Sequence, residues 1–343
     1  MSKAAHTARG NWKLITFGTA GLLLLAVISM AVGKYAMPLS AILRVLFAGL
    51  VGGQPDVDPI QQTVIWNVRL PRVVASIVIG AALAAAGATY QGLFRNPLVS
   101  PDILGVSAGA SLGAVLAIFL KLPVPVIQLM SFCGGLLAVG AVYAVGAAVR
   151  GRDPVLTLVL AGVAIGAVVG AGISLIKILA DPYDQLPAIT YWLLGSLTAV
   201  TRTDIWSILP VMFLGMLPLV LLRWRMNVMT LGDEEAQTLG IDTRLTRLAL
   251  IVGATLITAA SVSIAGIVGW VGLVIPHVAR LLAGPDFRRL LPASILLGGA
   301  YMLVVDTLAR SVALTEIPLG ILTAVVGAPF FLWLLASGRR GWS

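Results

Sequence analysis

Uncharged apolar runs of about 20 residues, the length a bilayer core demands, recur from one end of this chain to the other. The runs 14–32 and 73–91 hold no Asp, Glu, Lys or Arg at all. In hydrocarbon every backbone N–H and C=O must find its partner inside the protein, so only helices or a closed barrel can span. Barrel strands alternate polar and apolar residues over short segments, and these runs do not alternate. Charged residues make up 11% of the chain, where a soluble domain carries roughly a quarter. An all-α polytopic membrane protein is expected.

Hydropathy divides the chain into about ten transmembrane helices. Their cores are 14–32, 73–91, 103–120, 124–149, 155–178, 205–222, 248–267, 271–282, 290–309 and 319–336. The eighth is too short to cross alone at full thickness. Two short amphipathic stretches, 39–50 and 186–197, read as interfacial or partly re-entrant helices. The first segment is basic and then apolar, like a signal peptide. Its apolar part is too long and lacks a clear cleavage site, so a retained span is expected.

The net charge of +9 raises the question of nucleic acid. The Lys and Arg residues sit at span ends, where they orient a membrane protein, and no nucleic-acid partner is expected. With the N-terminus inside, only Lys34, Arg44, Arg69, Arg72, Lys121, Lys177, Arg202 and Arg310 of the 23 fall outside. The inner fifteen include Lys3, Arg9, Lys13, Arg150, Arg152, Arg339 and Arg340. An even span count puts both termini in the cytoplasm. The single cysteine, Cys133, allows no intramolecular disulfide and is expected to be buried and inert.

Glycine recurs every fourth residue at 105, 109 and 113 and again at 162, 166 and 170. Each series lies on one helix face and is expected to let a neighbouring backbone come close. No Walker A loop, His-Glu-x-x-His or nucleophile elbow occurs, so no catalytic residue and no metal ligand is assigned. If ATP drives this protein, another chain binds it. His6 lies in the tail, and His277 after Pro276 reads as structural.

Arg69 and Arg72 bracket Pro71 before a span, and Arg310 follows Asp306 by one helical turn. As isolated span-end charges they are ordinary anchors, with Asp306 and Arg310 pairing along the helix. The alternative is a ring of cationic sockets for acidic side chains of an outside partner. Lys177, with Asp181 and Asp184 close by, reads as an interfacial pair, with a substrate contact as the alternative. Between Arg223 and Arg247, Asp233, Glu234 and Glu235 open a short helix that Gly240 would stop. That helix is either a handle for a soluble partner or an ordinary solvated loop.

Several motifs occur in one order along nearly the whole chain. They are Arg69-Leu70-Pro71-Arg72, Phe94-Arg95-Asn96-Pro97-Leu98, Leu104-Gly105-Val106-Ser107-Ala108-Gly109-Ala110, Leu160-Ala161-Gly162-Val163, Tyr191-Trp192-Leu193-Leu194-Gly195-Ser196, Leu231-Gly232 with Leu239-Gly240, Gly272-Leu273-Val274-Ile275-Pro276-His277, and Gly327-Ala328-Pro329. In these the chain resembles the FecCD-type permeases of ATP-binding cassette importers, which carry ferric siderophores, haem and cobalamin. The resemblance implies a cobalamin-permease-like, type II importer architecture, with residues 1–343 as a single permease domain and a coupling segment at about 226–243.

It further implies a homodimer in the inner membrane, two copies of a cytoplasmic ATPase, a periplasmic substrate-binding protein, and no cofactor in this chain. By the resemblance Arg69, Arg72 and Arg310 dock the binding protein. Gly232, Asp233, Glu234, Glu235, Ala236, Leu239 and Gly240 couple to the ATPase, and Asn96 and Leu98 form the cytoplasmic gate. The pathway would be lined by the second, fifth and tenth spans and the helix near 186–197. Val155 and Leu156 stand where some relatives have small hydroxyl residues, which implies a more apolar constriction. A ferric siderophore is the expected cargo, with haem, cobalamin and molybdate open. A proton-coupled secondary transporter would need ionisable groups at mid-membrane, and the mid-span tracts are almost free of them.

Overall fold

The structure is a computed structural model that describes residues 2–35, 37–53, 56–149 and 154–336. Among these the chain is helical and contains no strand. In order run α1 (Ser2–Ala31), α2 (Leu39–Val51), α3 (Pro59–Thr63), a π-helical turn at Val64–Arg69, α4 (Leu70–Leu93), a 3-10 turn at Pro101–Leu104, α5 (Val106–Phe119), α6 (Val124–Ala148), α7 (Pro154–Leu179), α8 (Gln185–Leu194), α9 (Arg202–Leu221), α10 (Arg223–Met229), α11 (Asp233–Thr238), α12 (Thr243–Ala265), α13 (Val271–Ala283), α14 (Phe287–Ser311) and α15 (Leu319–Ala336). Arg150, Arg152, Arg339 and Arg340 lie outside the described residues, as do the side chains of Lys3, His6, Arg9, Lys13 and Val155.

Each of the ten expected spans falls on a helix, and the two short stretches are α2 and α8. Among the described residues six helices are long and apolar enough to cross a membrane: Pro59–Leu93, which runs through α4, and those at α6, α7, α9, α12 and α14. The described apolar parts of α1, α5, α13 and α15 are shorter. With 13 residues α13 covers only about 20 Å at roughly 1.5 Å per residue.

The second span owes its packing to small side chains. The tract 81–88 is Ala or Gly at every position but Leu83, and it is almost wholly buried. Helices α14, α12, α13 and α9 all pack on α4. At the α14 crossing, a Cβ built on Gly80 would lie 2.2 Å from the Gly298 carbonyl oxygen. At the α13 crossing, one on Gly87 would lie 1.9 Å from that of Gly272. Such backbone approach is how helices associate where lipid removes most of the hydrophobic drive.

The start of this span is shaped by proline. Pro71 has no N–H to give to the carbonyl four residues back, and the helical ladder slips ahead of it. The Leu70 N–H then bonds to the Ile65 carbonyl, five residues back, in the π-helical turn.

Two breaks in helical structure lock against each other between α8 and α13. Gly195 (φ 75°) and Gly266 (φ 67°) adopt conformations that side chains rarely tolerate. A Cβ on Gly266 would meet the Trp192 carbonyl oxygen at 2.2 Å. The Ser196 N–H donates to the Ala265 carbonyl at 2.8 Å, and the Leu319 N–H donates to that of Gly195 at 2.9 Å. Irregular backbone at membrane depth is tolerated where the protein itself satisfies it in this way.

Three expectations need correction. Cys133 is exposed on the surface of the single chain rather than buried, because α6 turns that face away from α5 and α12. Gly109 and Gly113 do meet a neighbouring backbone, at Gly134 and Met130 of α6, and Gly162 meets Ile103; Gly166 and Gly170 face open space on the largely exposed α7. Asp184 pairs with Lys121, at 3.3 Å, rather than with Lys177. Both side chains there are mostly exposed, so the pair contributes little.

Candidate functional site

Helix α4 has 24 residues and spans roughly 36 Å at about 1.5 Å per residue, so Arg72 and Arg95 mark opposite ends of the molecule. Helix α14 runs antiparallel to it, with Phe287 against Gly92 at one end and Asp306 beside Arg72 at the other.

At the Arg72 end the structure brings the three predicted arginines together. All three are buried, not open sockets. Arg72 Nε donates to Asp306 Oδ1 at 2.7 Å, while its Nη1 and Nη2 hold Glu316 at 3.0 and 2.9 Å. Arg310 Nη1 donates to the Val32 carbonyl at 2.6 Å and Nη2 to Ser29 Oγ at 2.8 Å, with Asp306 3.5 Å from its Nε. The last contact is the pairing along one helix expected for anchors. Arg69 donates to the carbonyls of Met30 and Tyr35. Gly33 makes room for both guanidiniums, since a Cβ there would lie 3.2 Å from Arg310 Nη1 and 3.3 Å from Arg69 Nη2.

Glu316 and Thr198 were missed by sequence reasoning. Thr198 Oγ1 donates to Glu316 Oε2 at 2.6 Å. Burial alone would raise the Glu316 carboxyl, but hydrogen bonds from Arg72 and Thr198 and the charges of Arg72 and Lys34 hold it below its ordinary value. An acid six residues past Arg310, in a short loop, was the available signal. Its partners are 244 and 118 positions away along the chain, beyond the reach of local pattern.

Beside this cluster opens a cavity of about 740 Å³. Its walls come from the start of α6 (Val124, Ile127, Gln128), from α8 and the Gly195–Gly266 joint (Tyr191, Trp192, Thr198, Gly266), and from residues 315–318. Asp204 also faces it, satisfied by Gln128 Nε2 at 2.9 Å and by its capping of Thr201. Among the described residues no Lys or Arg lines the cavity.

At the opposite end, α11 forms between Gly232 (φ 142°) and Gly240 (φ 79°) with Asp233, Glu234 and Glu235 in its first turn. Asp233 takes both its oxygens to Arg247 Nη2, at 2.7 and 2.8 Å, which ties α11 to α12. Ala236 is fully buried in a small cluster with Val228 and Ile241. Leu231 and Leu239 flank the helix and are each 61% exposed. The helix is thus anchored from behind; its exposed residues Glu234, Glu235, Gln237 and Thr238 are polar, with an exposed leucine beyond each end.

Asn96 and Leu98 follow α4 at this same end. Asn96 Oδ1 accepts the Leu98 N–H at 2.9 Å, a local turn that leaves the Leu98 side chain about half exposed. Leu98 lies beside His277, Phe330 and Phe331, with the His277 ring edge-on to Phe330 at 6.4 Å. Among the described residues no group of three or more His, Cys, Asp or Glu could hold a metal ion.

The FecCD transport family matches residues 21–337. The chain is 44% identical over 300 residues to the cobalamin import system permease protein BtuC of Halobacterium salinarum, covering 87% of this chain and 79% of that protein. It is 38% identical over 324 residues to the Fe(3+)-citrate import system permease protein YfmE of Bacillus subtilis, 93% of each. A solved structure described as an inward-facing conformation of a metal-chelate type ABC transporter superposes with a TM-score of 0.84 at 35% identity, over 95% of this chain and 99% of that one. With a match over almost its whole length, in sequence and in fold, this chain belongs to the FecCD transport family.

Proposed function

We propose that this chain is the permease subunit of an ATP-binding cassette importer that moves a metal chelate, a ferric siderophore, from periplasm to cytoplasm. The observation that carries this reading is the pairing of two features at opposite ends of α4. One is a cationic cluster beside a large cavity, and the other is an anchored helix with apolar flanks. Relatives named for cobalamin and ferric citrate import support a chelate as cargo. A wide cavity with no cation among its described wall residues suits a bulky chelate better than a small oxyanion such as molybdate.

In this reading the chain lies in the inner membrane with both termini cytoplasmic. Arg69, Arg72 and Arg310 receive acidic residues of a periplasmic binding protein. Two ATPase copies grip α11, and their closure tilts the permeases so that the pathway between them opens alternately outward and inward past Asn96 and Leu98. A second copy of this chain covers the exposed apolar face of α7, where Gly166 and Gly170 offer close approach. ATP hydrolysis takes place on the separate ATPase chains.

An uptake panel tests the cargo. A deletion strain and its complemented parent are offered labelled ferric siderophores, haem, cobalamin and molybdate. Loss of siderophore uptake, restored by this chain, is the expected result. Selective loss of another cargo would replace the siderophore, and uptake that survives ATP depletion but collapses with an uncoupler would overturn the importer.

A further inference from the structure

The segment between α14 and α15 joins two features of the Arg72 end. Its Glu316 holds Arg72 and Thr198, and its residues 315–318 form one wall of the cavity. Lys34 Nζ pins it through the Leu314 carbonyl at 2.5 Å. Its tip is apolar and bare: Leu314 is 96% exposed.

Charge within the arginine cluster is unbalanced. Lys34, Arg69, Arg72 and Arg310 are four cations, and they meet two carboxylates, Asp306 and Glu316. Among the described residues Arg69 bonds only to backbone carbonyls. The cluster therefore favours a further anion from outside.

The two carboxylates on Arg72 differ in kind. The Asp306 side chain is 0% exposed and sits within a packed helix; that of Glu316 is 30% exposed on a non-helical segment. We propose that Glu316 is an internal stand-in for a docking partner's carboxylate, and that a soluble binding protein, by taking Arg72 from it, frees the 312–318 segment from the cavity wall. This rests on the reading that the arginines dock such a protein.

The exchange is physically economical. One two-point carboxylate replaces another, so Arg72 keeps its charge-assisted hydrogen bonds throughout and no buried guanidinium is left bare. Displaced Glu316 is already part-exposed and passes to water. Leu314 and Val312 supply apolar surface for the arriving partner to bury. Docking and release of this wall of the cavity become one event.

The experiment uses the full transporter in lipid nanodiscs with the purified binding protein of its own import system. A spin label at Ile317→Cys, which lines the cavity on the same segment, in a Cys133→Ser background, reports the segment. With Glu316 intact, the label is expected to gain mobility only when the binding protein docks. Glu316→Gln keeps size and loses charge; it is expected to mobilise the label without any partner and to tighten docking by about tenfold. Thr198→Val, which loosens Glu316 without touching an arginine, should shift both readouts in the same direction by less. A label that ignores docking, or Glu316→Gln docking at wild-type affinity or weaker, overturns the latch. The docking reading is scored separately with Arg69→Gln, which does not contact Glu316. Unchanged affinity and unchanged salt dependence in that variant would sink the docking reading itself.

Discussion

Asp306 Oδ1 lies 2.7 Å from Arg72 Nε although 234 positions separate the two residues. The pair ties the start of α4 to the end of α14, and Asp306 is fully buried. A buried ion pair is costly to break from one side, because the remaining charge keeps its desolvation penalty and loses its partner. Asp306→Ala should therefore lower stability by about 3–5 kcal/mol, read as thermal unfolding in detergent. A loss below about 1 kcal/mol, the range of an exposed pair, would mean water reaches Arg72 freely.

Glu316 gives a pH dependence with a defined sign. Its carboxyl is held below the ordinary value in the folded protein. Its contribution is thus complete above the unfolded glutamate pKa of about 4.3 and is lost as pH falls through the folded value. The difference in melting temperature between wild type and Glu316→Gln should be constant from neutral pH down to about 5 and shrink below about 4. A difference that stays level down to the acid limit of folding would show that Glu316 acts by shape rather than charge.

The α4–α13 crossing has no room for a side chain. Gly87→Ala would drive a Cβ to 1.9 Å from the Gly272 carbonyl oxygen, which packed backbone cannot yield cheaply. A cost of about 1–3 kcal/mol is expected, with α13 displaced. Gly166→Ala, on the open face of α7, is the control and should leave the melting temperature of the single chain nearly unchanged. Equal effects at the two positions would contradict the packing described.

Leu231 and Leu239 are exposed on either side of α11, so changing them should spare the fold. Leu239→Asp is expected to shift stability by about 0.5 kcal/mol or less while weakening ATPase association by about tenfold or more. Binding measured in nanodiscs against the purified ATPase decides this. ATPase affinity that survives the double change Leu231→Asp and Leu239→Asp would place the coupling surface elsewhere.

Apolar length and helical period locate the ten apolar helices, because a segment facing lipid must satisfy its own backbone and does so locally. Gly240 and the acids at 233–235 likewise mark α11 from within a few residues, since caps and first-turn charges are local effects. Which face of a helix is covered is not a local property. Cys133 sits in an apolar run and looks buried, but lipid and core select the same side chains, and only the arrangement of α6 against α5 and α12 leaves it exposed. The same blindness separates Gly109, which meets Gly134, from Gly166, which meets nothing.

The arginines show the division most clearly. Arg69, Arg72 and Arg310 stand out in the sequence as charges at span ends, because hydrocarbon confines charge to such places. Their burial, their shared space at Gly33 and their hold on Glu316 depend on α1, α4, α14 and the segment before α15 converging in three dimensions. Hydropathy and spacing were enough for span and cap, and the motifs in their order for the family resemblance. Pairing, exposure and the closed state of the cluster came from packing, since contacts between residues more than 200 positions apart leave no trace in local pattern.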